Sequence, residues 1–592
     1  MRPLSVFSAI LIIVSILTVT QPASAEVTIT DLGTLQGGTF SFARRINDSG
    51  QITGNSATAS GDIHAFFWDN GVMTDIGMLP GGTSSSALAL NNRGQVVGIS
   101  TTTPGVTNDC FARGGPTCHA FLWESGVMTD LGTLGGSYSV AGAINNLGQV
   151  VGNSSTASGE RHAFLWESGV MTDLGVLPGC SSYCDSMALA INNVGQVVGY
   201  ATLFWTLVGP VDHAFLWSAE TGMLDLGTSP WDISGAGGIN DQGQVIGATT
   251  VASGDYHGFI WQNGVMTDLG TLGRSSGTAD INNLGQIVGA GWLASPPPGE
   301  QHPFFWQNGV MTDLGTFGGR IAGAYDINDL GQVVGSSGTT TEYPTEYPHA
   351  FLWQNGVMTD LGTLPGGTSS SAMSINEAGQ VVGFSATAGS DPTVGCIPTP
   401  SICHAVLWTV VNRPPVASFT FSPAAPIIGE AVLFDASGSN DSDGTIASYS
   451  WNFGDSAPIG SGVTATHSYS AAGTYTVTLT VADNGGLTAS TSMTVTVLTP
   501  QQAVDQTVTD VQNLIDTGSL SGGQGQSLIA KLDSARRLMD RGNACQAIHM
   551  LELFIGQVQR DIDSGRLSST EGQALIYAAN RLIEDLRPSC SP

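Results

Sequence analysis

Histidine is the residue most able to act as a general base or metal ligand near neutral pH, and the chain has ten. Eight occur at the same place in a recurring stretch that reads His-Ala-Phe-Leu-Trp or a variant of it: His64, His119, His162, His213, His257, His302, His349 and His404. A catalytic or metal-binding role would need eight equivalent sites, whereas a buried histidine bonded to a neighbouring carbonyl or aspartate needs only a repeating fold. His467 and His549 lie elsewhere, and neither has an evident nucleophile beside it. We therefore predict structural histidines and no catalytic residue.

Cysteine is the second residue type that can do chemistry, and all eight cysteines fall into close or plausible pairs. The pairs are Cys110 with Cys118, Cys180 with Cys184, Cys396 with Cys403, and Cys545 with Cys590. In an exported chain such pairs indicate disulfides, and the alternative is a redox or metal role. Zinc is disfavoured because no CxxC pair accompanies the histidines that follow Cys118 and Cys403. We predict four disulfides on loops, no metal site among these residues and no cofactor.

The N-terminus has the composition of a signal peptide. Arg2 precedes an apolar run over residues 11–17, and Ala23-Ser24-Ala25 fits the small-x-small pattern before a cleavage site. No later run of 18 apolar residues is long enough to span a bilayer. We predict that residues 1–25 are removed, that the mature chain is secreted, extracellular or on the cell surface, and that it does not insert into a membrane.

The charge of the chain excludes several classes of partner. Asp and Glu outnumber Lys and Arg by 47 to 17, which gives a net charge of −30, and Lys531 is the only lysine. Such a surface repels phosphate backbones and anionic lipid headgroups. Nucleic acid and membrane surfaces are therefore not expected as partners.

Three signatures recur in fixed order over residues 27–408. They are a TDLG-like stretch, an INxxGQVVG-like stretch and the HAFLW-like stretch, and each occurs eight times. Each unit contains four short segments with strand character, which are bounded by Gly, Asn or Ser. Asn-Gly pairs such as Asn70-Gly71 and Asn263-Gly264 provide tight hairpin turns. Four antiparallel strands in about 45 residues match the size of one propeller blade.

The two ends of the array are complementary. Thr30–Gly33 is a TDLG stretch with no HAFLW before it, and His404–Trp408 is a HAVLW stretch with no TDLG after it. If these two segments pair, the hairpin made locally seven times is made once between the ends. This favours a closed, eight-bladed β-propeller, and the weaker alternative is an open β-solenoid, which would instead need polar caps.

The recurring motif, seen as His119-Ala120-Phe121, resembles the HAF-repeat family of extracellular proteins. The resemblance covers residues 27–408, about two thirds of the chain. It implies an exported repeat protein and implies no known activity.

The insertions between units all lie on one predicted face of the propeller. They follow the third strand or, less often, the first, whereas the turns after the second and fourth strands hardly vary. Variation confined to one side of a repeat scaffold is typical of a binding face. The aromatic residues on these insertions are the candidate binding residues, and the alternative is that they fold back over the ends of the blades: Tyr183, Phe204, Trp205, Trp231, Trp292, Tyr343 and Tyr347.

The composition changes after the repeats, at Arg413-Pro414-Pro415. Residues 413–499 alternate as β-strands do, and the stretches SYSWNFGD (448–455) and HSYSAAGTYTVTLTV (467–481) resemble the PKD domain, an Ig-like β-sandwich. The stretch NDSDG (440–444) has alternating oxygen ligands, so calcium binding and simple turn formation are both open here.

Residues 500–592 show helical periodicity in four segments separated by glycines. This region resembles the helical FIMAH-type domain, which implies no established catalytic residues. A Cys545–Cys590 disulfide would pin the C-terminus to the third helix. The expected fold class is therefore mostly β: an eight-bladed propeller (26–412), an Ig-like PKD sandwich (413–499) and a small α-helical bundle (500–592).

From these features we expect a non-catalytic binding or structural protein that presents its variable loops to carbohydrate or protein ligands. The alternative is an extracellular glycan hydrolase or lyase on a propeller scaffold, and a secretion or assembly factor is a third possibility. An enzyme needs a carboxylate pair or nucleophile unique to one or two units. The loop acids form no such constellation in the sequence: Asp109, Asp212, Glu300, Glu342 and Glu346.

Overall fold

The computed structural model describes residues 26–590 except for 104–116, 181–183, 207–208, 228–232, 295–298, 341–346, 389–401, 442–444 and 484–485. The described chain belongs to two compact units, Glu26–Val411 and Asn412–Pro592. The predicted signal peptide lies outside the described residues.

The first unit consists of short β-strands. In chain order they are β1 (Glu26–Gly33), β2 (Ser41–Ile46), β3 (Ile52–Ala57), β4 (Ile63–Asp69), β5 (Val72–Asp75), β6 (Ser85–Leu90), β7 (Val96–Thr101), β8 (Cys118–Glu124), β9 (Val127–Asp130), β10 (Gly135–Ile144), β11 (Val150–Thr156), β12 (Arg161–Glu167), β13 (Val170–Gly175), β14 (Ser186–Ile191), β15 (Val197–Trp205), β16 (Pro210–Ser218), β17 (Gly222–Asp225), β18 (Ser234–Ile239), β19 (Val245–Thr250), β20 (Tyr256–Gln262), β21 (Val265–Asp268), β22 (Gly273–Ile281), β23 (Ile287–Leu293), β24 (Gln301–Gln307), β25 (Val310–Asp313), β26 (Ala322–Ile327), β27 (Val333–Gly338), β28 (Pro348–Gln354), β29 (Val357–Gly362), β30 (Ser370–Ile375), β31 (Gln380–Ala386) and β32 (Cys403–Val411).

These strands form antiparallel four-stranded groups, which we call sheets one to eight. Sheet one is β2-β3-β4-β5, and sheets two to seven continue in the same way, up to β26-β27-β28-β29. Sheets two and three are joined by a single parallel bridge between Cys118 and Tyr138. In each sheet the strand before the Ile-Asn stretch comes first, followed by the GQVVG, HAFLW and TDLG strands. We call the first strand of each sheet its inner strand, because each inner strand packs against that of the next sheet.

Sheet eight takes its fourth strand from the start of the chain. Its order is β30-β31-β32-β1, and Ile29 pairs with Trp408 while Thr30 pairs with Leu407. Leu32 and Leu35, which follow in the chain, join a buried cluster with side chains of sheets one and eight. The two incomplete motifs of the sequence are therefore partners.

Two series of hydrogen bonds connect the turns that follow the inner strands. In the first series, the side-chain amide of each motif asparagine donates to the backbone carbonyl of the next one, at 2.9–3.0 Å. The order is Asn47, Asn91, Asn145, Asn192, Asn240, Asn282, Asn328, Asn376 and again Asn47. In the second series, the backbone N–H of the following residue donates to the side chain of its counterpart, from Asp48 to Asn92 and onward, until Glu377 donates to Asp48.

The turns explain the composition of the repeat. In six sheets the HAFLW and TDLG strands are joined by Asn-Gly or Ser-Gly pairs with both residues at positive φ, as at Asn70 (48°) and Gly71 (89°). Such backbone angles suit Asn and Gly and match the twist of a two-residue hairpin. The Oδ1 of each motif asparagine also accepts backbone N–H groups of its own turn, as Asn47 does from Ser49 and Gln51.

The motif phenylalanine fills the core between neighbouring sheets. It is fully buried in seven sheets, as at Phe66 and Phe351, and Val406 takes its place in the eighth. Burial of one such side chain stabilises the fold by about 2–3 kcal/mol. The motif tryptophans are less uniform, because only Trp123, Trp306 and Trp408 are buried.

The second unit begins with a sandwich of two sheets. Its strands are β33 (Thr420–Ser422), β34 (Ala431–Asp435), β35 (Ile446–Asn452), β36 (Gly460–Ser461), β37 (Thr464–Ser468), β38 (Gly473–Asp483) and β39 (Thr488–Val497). One sheet is β33-β34-β37 and the other is β36-β35-β38-β39. Trp451 lies buried between them and donates a hydrogen bond to the carbonyl of Gly462.

Four helices follow: α1 (Pro500–Asp516), α2 (Gly522–Met539), α3 (Ala544–Asp563) and α4 (Ser569–Leu586), with one 3-10 turn at Arg587–Ser589. Thr499 and Gln502 form a capping box that starts α1. A disulfide joins Cys545 on α3 to Cys590. In the described part of the chain, no helix is both long enough and apolar enough to cross a bilayer.

The sandwich and the helices share a core. Ile427 of the sandwich belongs to the buried cluster of the helices. Beside it, Arg581 on α4 donates to the Glu430 carboxylate and to the carbonyl of Ala425. The two domains of this unit are therefore joined by both apolar and charged contacts.

Candidate functional site

Antiparallel pairing places the two ends of every sheet in different environments. The Asn-containing turns lie at one end, and the hairpins between the second and third strands lie at the other, which we call the hairpin end. The described residues that flank the long insertions are at the hairpin end, since they belong to joined strands such as β15 and β16. The predicted binding residues that the structure describes can therefore be located relative to this end.

Trp205 is the last residue of β15 in sheet four and pairs with Pro210 across the hairpin. Its side chain is 43% exposed. Phe204 precedes it, pairs with Val211 and is half-buried. The sequence predicts an insertion on the variable loop face here, but its described part extends the two strands, with a register shift between Thr202 and Phe204.

Trp292 has a similar position in sheet six. It lies in β23, pairs with Gln301 and is 37% exposed. Its ring lies against Gly299 at the tip of the hairpin, where a Cβ atom would come within 3.2 Å of the indole. Trp292 is thus held on a strand by its neighbours rather than carried on an irregular loop.

Tyr256 is an exposed aromatic residue that the sequence analysis missed. It begins β20 in sheet five, pairs with Thr250 and is 49% exposed. Its unit has no long insertion, so a search confined to insertions passes over it. The available signal was its position directly before the motif histidine, where the other units have Ile, Cys, Arg, Asp, Gln or Pro.

Tyr347 lies in sheet seven, directly before β28, and is half-buried. Its backbone carbonyl accepts a hydrogen bond from Thr339. The other predicted residues, Tyr183, Trp231 and Tyr343, lie outside the described residues.

Four aromatic side chains therefore lie at the hairpin end of four consecutive sheets. We call Trp205, Tyr256, Trp292 and Tyr347 the aromatic arc. Sheets four to seven pack against one another in this order. Three of these residues belong to strands and Tyr347 directly precedes one. Partly exposed aromatic rings held in this way provide apolar faces with little conformational entropy to lose on binding.

Described cysteines of three of the four predicted disulfides also lie at this end of the first unit. Cys180 is bonded to Cys184 before the inner strand of sheet four. Cys118 and Cys403 are disulfide-bonded, while their predicted partners Cys110 and Cys396 lie outside the described residues.

Of the five predicted acids, the structure describes Asp212 beside sheet four and Glu300 beside sheet six. Asp212 accepts a hydrogen bond from Thr202, and Asp109, Glu342 and Glu346 lie outside the described residues. Glu300 has no partner within this set. Among the residues that the structure describes, no group of three or more His, Cys, Asp or Glu side chains could hold a metal ion. Ser442–Gly444 of the predicted calcium stretch are outside the description.

Each motif histidine pairs with the aspartate of the adjoining TDLG strand. In sheet one, Nδ1 of His64 lies 2.8 Å from Oδ2 of Asp75, whose Oδ1 accepts the N–H of Gly77. The hydrogen bond to Asp75 raises the pKa of His64 although burial opposes it. Burial alone would raise the pKa of Asp75, but the hydrogen bonds from His64 and Gly77 hold it below its usual value. The closing pair, His404 with Asp31, has the same geometry.

A pair of carboxyl groups on the inner strands is the second feature that the sequence analysis missed. Asp280 of sheet six is hydrogen-bonded to Asp326 of sheet seven, and burial together with the Asp326 charge raises the pKa of Asp280 well above its usual range. Asp280 also accepts the N–H of Ile327, and Asp326 accepts that of Ile375. Two carboxyl groups in contact share a proton, since both cannot ionise freely. The signal was available: the residue before the Ile-Asn stretch is Asp in these two units alone.

A groove of about 350 Å³ lies between sheets five and six, near the Asn-containing turns. Its lining includes Gln244, Leu284 and Trp306. Gln244 and Trp306 occupy motif positions that recur in the repeat, so the groove has no chemistry of its own.

Family models match two segments of the second unit. Residues 412–497 match the PKD domain, and residues 504–584 match the FIMAH domain.

Two curated relatives match short parts of the chain. "Collagenase ColA" of Clostridium perfringens (strain 13 / Type A) is 42% identical over 76 residues, which are 13% of this chain and 7% of that protein. "Microbial collagenase" of Vibrio alginolyticus is 34% identical over 117 residues, which are 19% of this chain and 14% of that protein. The chain thus spans a small fraction of either relative.

Solved structures resemble separate parts of the chain. The PKD1 domain of Vibrio anguillarum Epp is 38% identical, covers 15% of this chain and all of that one, and has a TM-score of 0.14. A structure of carbohydrate-binding modules from the β-sandwich superfamily is 46% identical over 15% of this chain and 36% of that one, with a TM-score of 0.15. The β-propeller domain of the Trilobed protease from Pyrococcus furiosus is 9% identical over 55% of this chain and 98% of that one, with a TM-score of 0.34. On the family matches, the β-sandwich is a PKD domain and the helical bundle that follows it is a FIMAH domain.

Proposed function

We propose that residues 26–411 form a closed, eight-bladed β-propeller of HAF repeats. The pairing of β1 with β32 supports this proposal, because it gives sheet eight the fourth strand that its own repeat lacks. The two series of hydrogen bonds support it further, since each returns to the residue from which it starts. An open array would leave the Asn376 side chain and the Asp48 carboxylate without these partners.

On this scaffold the protein acts as an exported, non-catalytic binding protein whose ligands are saccharides. The observation that carries the assignment is the aromatic arc: four partly exposed rings at one end of four consecutive sheets. Aromatic faces stack on the apolar faces of sugar rings, and rigid strands fix their spacing. The disulfides support export, because such bonds persist in oxidising compartments. The PKD and FIMAH domains would then act as a spacer and a terminal module.

The test is binding of the full chain to insoluble and soluble neutral polysaccharides. Trp205→Ala, Tyr256→Ala and Trp292→Ala should each weaken binding about tenfold, because a stacked aromatic contributes on the order of 1–2 kcal/mol. Tyr577→Ala is the matched control, since Tyr577 is 56% exposed on α4 outside the propeller. Equal binding by all four variants would contradict the assignment.

Hydrolysis of a glycan is the second candidate function, and the Asp280–Asp326 pair is the observation that favours it. Two carboxyls that share a proton can act as general acid and general base, and this pair is confined to two units. The partial collagenase matches do not bear on this candidate, because they cover only the PKD region. Product formation from a polysaccharide that is abolished in both Asp280→Asn and Asp326→Asn, but retained in Glu220→Gln, would establish it.

A further inference from the structure

Every inner strand contains one extra residue that disrupts its register with the second strand. In sheet one, Ala43 pairs with Gly54 and Arg45 with Thr53, so Arg44 is the bulged residue. The corresponding residues are Leu88, Gly142, Leu189, Gly237, Ala279, Tyr325 and Met373. Sheet one alone has an arginine at this position, Arg44, and a second arginine, Arg45, follows it.

The bulged position is open to solvent in three other sheets. Tyr325 is 40% exposed and Leu189 is 39% exposed. A Cβ atom built on Gly237 meets nothing within 4 Å. In the proposed closed ring this space is the central channel, and small residues such as Gly142 and Gly237 leave it open. In sheet one this position is taken by the half-buried Arg44, and the exposed Arg45 follows it.

The two arginines have no acidic partner. Among the described residues, no carboxylate oxygen lies within 4.0 Å of either guanidinium. Nε of Arg44 is buried and has no hydrogen-bond partner in the same set. Arg45 donates only to the carbonyl of Arg44, at 3.2 Å. Burial, with the adjacent charge of Arg45, lowers the pKa of Arg44.

Two adjacent arginines without acidic partners lower the stability of the folded chain. A half-buried guanidinium loses hydration, and a like charge beside it adds repulsion. The chain has 47 acidic residues with which it could neutralise these charges. Arg44 is also held in place, because its guanidinium carbon lies 5.3 Å from the centre of the Phe42 ring. A fixed guanidinium without a partner is prepared for an oxyanion, which it binds through two parallel N–H donors.

We infer that Arg44 and Arg45 form a binding site for an oxyanion, carboxylate or sulfate, carried by an acidic saccharide. The inference rests on the proposed saccharide-binding function and specifies the class of ligand. The net charge of −30 repels such a ligand at long range, so recognition depends on the local contacts that the two guanidinium groups make. A purely structural role for the two arginines makes the opposite prediction for stability, since their removal would then weaken the fold.

The first test is thermal unfolding of the full chain in sodium sulfate and in sodium chloride at equal ionic strength. Sulfate should raise the melting temperature of the unmodified chain above its value in chloride, in part because sulfate is excluded from any protein surface and in part because it binds the two arginines. Arg44→Gln/Arg45→Gln removes the second contribution, so its response to sulfate should be clearly smaller than that of the unmodified chain. Arg93→Gln is the matched control, because Arg93 has Glu124 as its partner at 4.0 Å and should keep the response. In chloride the double variant should melt no lower than the unmodified chain. A clearly lower value there, or an unchanged response to sulfate, overturns the inference.

The second test is calorimetric titration with tetragalacturonate, with cellotetraose as the uncharged probe. The double variant should bind tetragalacturonate at least about tenfold more weakly and should bind cellotetraose unchanged. A response to sulfate that the double variant reduces, without binding of tetragalacturonate, supports the oxyanion site and overturns the uronate assignment. Absence of both effects overturns the site. The saccharide-binding role of the aromatic arc is tested separately. If Trp205→Ala binds cellotetraose as tightly as the unmodified chain does, that role is contradicted.

Discussion

Nδ2 of Asn376 donates a hydrogen bond of 3.0 Å to the carbonyl oxygen of Asn47, which lies 329 residues earlier in the chain. The other seven motif asparagines make the same bond to the next unit along the chain. The last and first Asn-containing turns of the array are therefore hydrogen-bonded in the same way as any two neighbouring turns.

Replacement of Asn376 tests whether this bond is equivalent to the others. Asn376→Ala removes the donor to Asn47 and the acceptor for the N–H groups of Ala378 and Gln380, so it should cost about 1–3 kcal/mol. Asn328→Ala, within the array, should cost the same within about 0.5 kcal/mol, as measured by urea unfolding. A much smaller cost at Asn376 would indicate that the last turn has no neighbour.

The His64–Asp75 pair should make stability depend on pH. The raised pKa of His64 contributes stability that is complete below its ordinary value of 6.5 and is lost as pH rises through the raised value. The lowered pKa of Asp75 contributes stability present above 3.8 and lost as pH falls through the lowered value. His64→Gln should therefore destabilise the protein more at about pH 5.5 than at about pH 9.

His549→Gln is the control for this comparison, because the His549 side chain is 68% exposed and should matter little at either pH. Urea unfolding at the two pH values gives the four free energies required. Equal destabilisation by His64→Gln at both values would show that the histidine acts only through its shape.

The carboxyl pair should also make stability fall as pH rises, through ionisation of an acid rather than deprotonation of a histidine. Because the pKa of Asp280 is raised, its ionisation opposes folding, and stability falls as pH rises from 3.8 through the raised value. Asp280→Asn keeps an acceptor for the Ile327 N–H and removes the charge. The variant should be at least as stable as the unmodified chain near pH 8, and this advantage should disappear near pH 4. The control Glu220→Gln should change stability at neither pH. If Asp280→Asn is less stable than the unmodified chain near pH 8, the raised pKa of Asp280 is contradicted.

The contact between the PKD and FIMAH domains depends on Arg581. Its side chain is 17% exposed and that of Glu430 is 24% exposed, so removal of the arginine leaves a half-buried carboxylate unpaired. Arg581→Ala should destabilise this unit by about 2 kcal/mol. Arg587→Ala breaks an exposed pair with Glu584 and should cost less than about 0.5 kcal/mol. Calorimetric unfolding of the full chain checks both values, and similar small effects would contradict the role of Arg581.

Local patterns were sufficient to predict most strands and helices. The alternation of SMALAI over residues 186–191 predicts an inner strand, and helix α4 begins at Ser569 and ends at Leu586 as the periodicity indicates. The complementary ends of the array also predict the pairing of Ile29 with Trp408. These features depend on residues that are close in sequence or on a motif that recurs along the chain. Both kinds of pattern are visible in one amino-acid sequence.

The candidate site was harder to predict because it depends on distance across sheets. The sequence predicts a loop at Trp205, because an insertion and an extended hairpin have the same length in sequence, whereas the structure pairs Trp205 with Pro210. Tyr256 joins the arc only because sheet five lies between sheets four and six. The contact of Asp280 with Asp326, 46 positions along the chain, follows from the packing of two inner strands and not from either strand alone.

The central claim is that the array of eight repeats is closed. A designed cross-link between the two ends of the array tests this claim most directly. Thr28 and Thr409 are cross-strand partners, at a spacing that a disulfide can bridge. The Thr28→Cys/Thr409→Cys chain should form this disulfide spontaneously, so that both new cysteines resist alkylation in the folded protein and the intact mass shows the loss of two hydrogens. Thr28→Cys/Thr267→Cys should remain reduced, because Thr267 lies in sheet five. If the Thr28→Cys/Thr409→Cys chain keeps two reactive thiols, the first and last motifs are apart and the array is open.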